Sequence, residues 1–291
     1  MTGRVFRFAL LASALALPAA ATAAPSVEDC RAIWVGHAGA MSLAGLGERP
    51  PERIEVEGAA CVARDLSADP FGAGQPVSYP RAVWTLGTAE GGGAAFSLML
   101  DVAPGGSAMP GHAATLRDRA ELALSLTEEA GEAGEATAGS LVVALSIGFE
   151  GRNAVSAEVR ALGLTAAGTA PLLARLASAD IRGAAAQAVS DGQLSTRWAA
   201  LFPPPRAPGA ADRAQVAAFL SALPGETMTP AARDATLRIL ADWPDLRGRA
   251  DLSLAAPQGL RPLALAALAA ADPSRIASVL AGATVEARYG P

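Results

Sequence analysis

The sequence predicts an α+β fold: a mostly antiparallel, curved β-sheet of the meander type, with helices packed on one face. Three consecutive segments between residues 122 and 161 alternate apolar and polar side chains with a period of two, and turn-forming residues separate them. Helical spacing of apolar residues is concentrated in the C-terminal half, between strand-like segments. The order of the elements lacks the regular β–α–β alternation of a doubly wound sheet, which favours α+β.

Residues 1–23 are expected to be a secretory signal peptide. Arg4 and Arg7 make a positive start, residues 8–17 form a short apolar core, and the small residues 21–23 precede an expected mature start near Ala24. That core is shorter than the roughly 20 residues of a membrane span, although an uncleaved anchor is the alternative. We therefore expect a periplasmic or secreted protein whose mature chain has no integral membrane span.

The two cysteines, Cys30 and Cys61, are predicted to form a disulfide, because an isolated pair usually bonds in an oxidising compartment. Their separation is unlike the C-x-x-C spacing of redox-active pairs. Residues 27–46 are predicted to be helical and residues 54–62 to form a strand. The disulfide would then join the first helix to the first strand.

The rest of the first half reads as hairpins. Strands are predicted at residues 82–86 and 94–102 around a turn at 91–93, and residues 103–114 are expected to be a linker or an exposed loop. The meander follows, with strands at 122–126, 141–149 and 155–161, a polar loop at 128–139 and a turn at 151–153. Its apolar positions all fall on one face, so that face is predicted to be buried.

The C-terminal part mixes helices and strands. A hairpin is predicted at residues 186–198, turning at Asp191-Gly192. Thr229 and Pro230 are typical of a helix start, and Pro244 is expected to end that helix. The remaining predicted elements are helices at 171–177, 212–223, 263–271 and 273–280, and strands at 249–255 and 284–289.

The predicted domains are a disulfide-stapled α/β segment at residues 24–110 and an antiparallel sheet with helices at 115–291. The sequence leaves open whether the two form one continuous domain. The formal net charge of −5 becomes about −7 once Arg4 and Arg7 are removed, and basic clusters are lacking. This balance argues against nucleic acid as a partner.

Several chemistries are disfavoured by the residue types present. The chain contains no lysine, which excludes a phosphate-loop lysine, a Schiff base and pyridoxal phosphate chemistry. His37 and His112 are the only histidines and lack metal-ligand spacing, so no metal site and no cofactor are predicted. The acidic residues Glu128, Glu129, Glu132 and Glu135 are expected to form a solvated loop, because they lack the alternating pattern of a calcium loop.

No catalytic residues are predicted. A G-x-S-x-G nucleophile motif is lacking, and Gly91–Gly93 is interpreted as a turn. Carboxylate pairs such as Asp242 with Asp245, or Asp65 with Asp69, remain open as an acid–base alternative, because glycosidase pairs are set by the fold. The four tryptophans are expected to pack in the core.

The C-terminal segment resembles the closing unit of secreted, β-rich proteins of the AsmA-like, lipid-transfer type. The resemblance rests on a strand-like run at 248–257, a leucine-rich helical stretch and a final strand at 283–289, and the meander at 141–164 also fits. It implies a long curved sheet whose apolar concave face carries acyl chains. No residue-level motif matches, so no binding residue can be transferred.

We therefore expect a non-enzymatic periplasmic protein that binds a lipid-like ligand or an envelope partner protein. One alternative is an envelope assembly or scaffold factor without a small ligand, which an exposed apolar patch or sheet edge would favour. The other alternative is a hydrolase that uses carboxylates or a triad, which would require a deep cleft with convergent groups.

Overall fold

The computed structural model describes residues 24–69, 76–89, 92–104, 119–129, 139–149, 151–202, 207–271, 276–280 and 282–290. The predicted leader lies outside these residues, as do His112, Glu132, Glu135 and all but the first two residues of the 103–114 linker.

Ten strands form one open antiparallel sheet in which the spatial order of the strands follows their order in the chain. Each strand pairs with the next, so the sheet is a meander throughout. The strands are β1 (Glu55–Glu57), β2 (Ala60–Ala68), β3 (Val77–Thr88), β4 (Ala94–Pro104), β5 (Ala120–Glu129), β6 (Ser140–Phe149), β7 (Asn153–Leu162), β8 (Asp180–Asp191), β9 (Arg247–Leu260) and β10 (Thr284–Gly290).

The described helices are short. They are α1 (Val27–Gly36), α2 (Ala38–Met41), α3 (Leu172–Ser178), α4 (Leu194–Ala199), α5 (Ala210–Ala222), α6 (Pro230–Asp242), α7 (Pro262–Ala271) and α8 (Ile276–Val279), and a 3₁₀ turn at Ser42–Ala44 follows α2. The prediction of a predominantly antiparallel β protein with additional helices is thus confirmed. The expected curvature stays a prediction.

One face of the sheet is apolar from β2 to β10; we call it the apolar face. The register places Trp84 opposite Leu98, Leu98 opposite Leu124, and Leu124 opposite Leu145. The same row continues through Ala157, Ala186, Leu252 and Ala287. Side chains alternate between the two faces along a strand, so the intervening polar residues, such as Ser97 and Ser125, lie on the other face.

The main core lies between the N-terminal helices and strands β2 to β6. Cys30 and Trp34 of α1 pack in one cluster with Trp84, Phe96 and many leucines of the apolar face. The Trp34 and Trp84 rings meet edge to face with their centroids 5.1 Å apart, and Trp84 Nε1 donates to the carbonyl of Cys30 at 3.2 Å. The hydrogen bond satisfies the indole that this packing buries.

A second cluster lies at the other end of the sheet. Residues of α5 and α6 pack there with Ala256 and Leu260 of β9 and with Val285 and Ala287 of β10. Thr229 caps α6 by accepting a hydrogen bond from the amide of Ala232 at 3.2 Å, which confirms the predicted helix start. Helix α6 ends at Asp242, just before Pro244, as predicted.

Three sequence predictions were wrong in detail. Residues 54–62 form two strands, β1 and β2, separated by a turn at Gly58, whose φ of 65° suits glycine. The predicted helix at 27–46 breaks at His37 into α1, α2 and the 3₁₀ turn.

The third wrong prediction is the hairpin at 186–198. Strand β8 runs without interruption from Asp180 to Asp191, and after Gly192 the chain forms helix α4. Leu194 is buried and Trp198 lies one turn later, so both pack towards the main core. In the sequence, the turn signal at Asp191-Gly192 favoured a hairpin over a helix for this short segment.

Candidate functional site

The apolar face is left partly uncovered between its two helical clusters. Ala157 of β7 lies opposite Ala186 of β8, and Ala186 lies opposite Leu252 of β9. Ala184, two residues from Ala186, points to the same side. These four residues belong to none of the buried clusters, and we call them the apolar strip.

The strip is accessible. Leu252 retains 40% of its surface, and Ala157 and Ala186 are exposed, whereas Ala184 is half-buried. By contrast, the corresponding positions on β4 and β5, Leu98 and Leu124, are 0% and 2% exposed. The apolar face is therefore buried at these positions of β4 and β5 and exposed at Ala157, Ala186 and Leu252, whereas Ala188 and Ala250, further along β8 and β9, are buried.

Taller side chains border the strip. Leu145 of β6 packs against the main core on one side. Leu254 of β9 packs with the α5–α6 cluster on the other side. Val159 of β7 and Leu176 of α3 both pack against the cluster formed by Ala161, Ala179 and Ile181. The alanines of β7 and β8 consequently form a low floor about two strands wide, with roughly 5 Å between neighbouring strands.

The chemistry of the strip is uniform. Its four side chains carry no hydrogen-bonding group. They can therefore bind only apolar groups of a ligand, through the removal of apolar surface from water. On this face, the polar side chains at the ends of β7 and β8 nearest the β7 start are Asn153 and Ser190, both buried, beyond Val155 and Ala188. Asn153 Oδ1 accepts from Ser190 Oγ at 3.0 Å and from the amide of Asp191 at 3.3 Å, which closes that end of the two strands.

A cavity lies elsewhere, at the end of the sheet where β5, β6 and β7 meet. It has a volume of about 300 Å³, and Glu128, Glu129 and Ser140 are among its lining residues. Glu128 accepts the amides of Ala166 at 2.7 Å and Ala94 at 3.3 Å. These carboxylate contacts tie three segments of the chain together.

Glu129 is equally engaged. Its carboxylate accepts from Arg160 at 3.2 Å and from Ser140 Oγ at 3.1 Å. The expectation that Glu128 and Glu129 belong to a solvated loop was wrong, because both end strand β5 and hold neighbouring backbone and side chains. Both carboxylates are committed to structural contacts, which disfavours this cavity as a site of acid–base chemistry.

His37 lies at the junction of α1 and α2, and 4% of it is exposed. Its ring stacks on Phe96 at a centroid distance of 4.3 Å and an interplanar angle of 9°. Nδ1 lies 2.9 Å from the carbonyl of Ile33, so Nδ1 carries the proton and Nε2 the lone pair in the neutral ring. Nε2 is buried and has no hydrogen-bond partner among the described residues.

Burial lowers the pKa of His37 below its ordinary value, because the charged ring would be desolvated. The hydrogen bond to Ile33 and the charge of Glu128 act in the opposite direction, and Arg175 adds to the lowering. His37 is therefore favoured in its neutral form. It packs on Phe96 of β4, in the part of the apolar face that the N-terminal helices cover.

Asp242 and Asp245, the first candidate acid pair, have different hydrogen-bond partners. Asp242 accepts from the hydroxyl of Tyr289 at 2.8 Å, whereas Asp245 accepts from Ser195. The two carboxylates therefore serve different contacts. Asp65 has a φ of 56° within β2, next to the point where the β2–β3 register passes from Arg64 to Leu66.

The cysteine pair predicted from the sequence lies at disulfide distance. The Sγ atoms of Cys30 and Cys61 are 2.02 Å apart, and their Cα atoms are 5.6 Å apart. The link joins α1 to β2, the second strand and not the first as expected. Trp34 and Trp84 are buried beside it, as expected for core tryptophans, and Trp198 and Trp243 are partly buried.

The described residues contain neither a metal-ligand cluster nor a membrane-crossing helix. No group of three or more His, Cys, Asp and Glu side chains is placed there to hold a metal ion. No helix in that part of the chain combines the length and apolar character that crossing a bilayer requires.

The apolar strip itself was not identified from the sequence. Alternation indicated an apolar face, but the exposed portion depends on which helices fold back over which strands, and that is a non-local property. Comparison with protein-family models, with curated proteins and with solved structures finds no match to this chain.

Proposed function

We propose that this protein is a non-enzymatic, exported binding protein whose ligand is a long aliphatic chain seated on the apolar strip. The observation that carries the proposal is the accessibility of Ala157, Ala186 and Leu252 on a face that is buried at Leu98 and Leu124. Exposed contiguous apolar surface on a soluble domain commonly marks an interaction site.

The shape and chemistry of the strip favour an acyl chain. Its alanine floor is narrow and bordered by Leu145 and Leu254, and charged side chains are absent from its four residues. A slender, flexible aliphatic chain can lie along the floor in contact with both borders. A globular partner would have to insert a ridge of its own between those borders.

The binding test is a titration with the fluorescent long-chain fatty acid cis-parinaric acid. We expect saturable binding at about one equivalent per chain, and competition by unlabelled single-chain lipids. Competition should weaken as the competing chain is shortened, because each buried methylene contributes about 0.8 kcal/mol. Lack of saturable binding by the folded protein would contradict an acyl ligand and favour an envelope partner protein.

The export part of the proposal rests on the sequence of residues 1–23 and on the cysteine pair at disulfide distance. Mass spectrometry of protein recovered from the periplasm tests it. We expect a polypeptide that begins near Ala24 and is two protons lighter than its reduced form. An intact leader on the recovered protein, or two free thiols, would contradict it.

The proposal of a binding protein in place of an enzyme is supported by the placement of the polar groups. His37 is buried at the junction of α1 and α2, and Glu128 and Glu129 hold backbone and side-chain partners. The apolar strip, where a ligand has access, carries no group that could transfer a proton.

A further inference from the structure

The N-terminal helices are joined to a distant loop at one narrow point. The amide of Gly39 donates to the carbonyl of Gly168 at 2.9 Å, and the amide of Gly168 donates to the carbonyl of Gly36 at 2.7 Å. Gly168 belongs to the segment 163–171, which connects β7 to α3. A Cβ atom on Gly39 would collide with the carbonyl of Ala170, so the two backbones are in direct contact.

In the sequence, His37 lies between Gly36 and Gly39 of this joint. Its ring is stacked on Phe96, and its Nε2 is buried without a partner among the described residues. A proton added at Nε2 would create both a buried charge and an unsatisfied donor. Both are unfavourable in an apolar environment.

The surrounding charges do not remove the free-energy cost of protonating the buried His37. Glu128 of β5 attracts a positive His37, but its two carboxylate oxygens already accept the amides of Ala94 and Ala166. Arg175 of α3 repels a positive His37 and is held by the carbonyl of Thr165. Strand β4 presents the uncharged ring of Phe96.

We propose that the joint between Gly36–Gly39 and residues 163–171 is an acid-sensitive latch, which opens when His37 is protonated. The disulfide between Cys30 and Cys61 keeps the first half of α1 on the sheet while the joint opens. Opening detaches residues 37–44 from segment 163–171. The inference is independent of ligand binding on the apolar strip.

The direction of the pH dependence follows from linkage. In the open state His37 regains its ordinary pKa of about 6.5. Above that pH the ring is neutral in both states, so the closed state keeps its full stability relative to the open state. Below it the open state takes up the proton first, so the open fraction rises about tenfold per pH unit until the lower pKa of the closed state is reached.

Hydrogen–deuterium exchange measured between pH 7.5 and 5.0, and corrected for intrinsic exchange rates, tests the latch. Peptides covering residues 36–45 and 163–171 should lose about tenfold in protection between pH 7.5 and 5.5. His37→Phe keeps a ring to stack on Phe96 and cannot be protonated, so its protection should not change with pH. His112→Gln is the matched control, and it should behave like the wild type.

The same pH dependence in His37→Phe, or unchanged protection in the wild type, would overturn the proposal. If His37→Phe does not fold, the wild type still provides the test through NMR titration of its two imidazoles. A pKa of His37 below that of His112 and below 6.5 supports the latch. A pKa of His37 at or above 6.5 overturns it.

Discussion

At the scale of single residues, buried polar groups show how the chain is held together. Tyr79 is fully buried and donates to the carbonyl of Ala44 at 2.6 Å, which fixes the end of the 3₁₀ turn on β3. Burial raises the pKa of Tyr79 well above its usual range. Glu128 likewise uses one carboxylate to join β4 and segment 163–171. Neither role is visible in the sequence, because both depend on residues at least 34 positions away.

Glycine substitutions provide a prediction at this scale. Gly39→Ala should lower the free energy of unfolding by about 1–3 kcal/mol, because its Cβ has no room against the carbonyl of Ala170. Gly36→Ala is the matched control: nothing lies within 4 Å of its Cβ, and alanine in helix α1 should be neutral or stabilising by up to about 1 kcal/mol.

Urea denaturation followed by circular dichroism compares the two variants with the wild type. Equal stability of Gly39→Ala and Gly36→Ala would show that the close contact between Gly39 and segment 163–171 is absent in solution.

At the scale of elements, the strands of the meander were predictable and the connections were not. Period-two alternation located the strands around Leu124, Leu145 and Ala157 and assigned their apolar positions to one face, as observed. The hairpin prediction at 186–198 failed because a strong turn dipeptide at Asp191-Gly192 is compatible with a helix as well as a strand after it. Local sequence could not distinguish the two, since Leu194 and Trp198 are fixed by packing against a remote core.

The disulfide between Cys30 and Cys61, which joins α1 to β2, provides a prediction at the scale of elements. Replacing Cys30 and Cys61 together by alanine should lower the free energy of unfolding by about 3–4 kcal/mol, because the bond closes a loop with a sequence separation of 31. The measurement is denaturant unfolding of the double variant.

Wild type in a reducing buffer serves as the control and should lose a similar amount of stability. If the denaturation midpoint of the double variant and the slope of its unfolding free energy against denaturant equal those of the oxidised wild type, the bond does not constrain the unfolded chain.

At the scale of the whole molecule, the ten described strands lie in sequential order in a sheet with two edges. One edge is the three-residue strand β1, and such short edge strands limit unwanted pairing. At the other edge, the amide of Val285 donates to the carbonyl of Thr227 at 2.7 Å, and Met228 forms a parallel bridge with Val285. The connection before α6 therefore covers the start of β10. Both arrangements favour a sheet that does not extend by adding strands.

The open part of the apolar face is also a property of the whole molecule. The N-terminal helices cover β2 to β6. Helices α5 and α6 pack on β9 and β10, and Ile239 of α6 also packs against the cluster that contains Ala188 of β8. The apolar strip is left between these two helical groups. The sequence predicted an apolar face and allowed a lipid-like ligand, but it could not locate the gap between the two helical groups. The central claim is that this gap binds an aliphatic chain.

The most direct test is the affinity for cis-parinaric acid of two variants with a glutamate on opposite faces of the sheet. Ala186→Glu places a charge in the apolar strip, and Ala255→Glu places the same charge at an exposed alanine on the other face of the neighbouring strand. We expect Ala186→Glu to weaken binding at least tenfold, because a carboxylate beside an aliphatic chain loses hydration. Ala255→Glu should bind like the wild type. Equal affinities of Ala186→Glu and the wild type would contradict binding on the apolar strip.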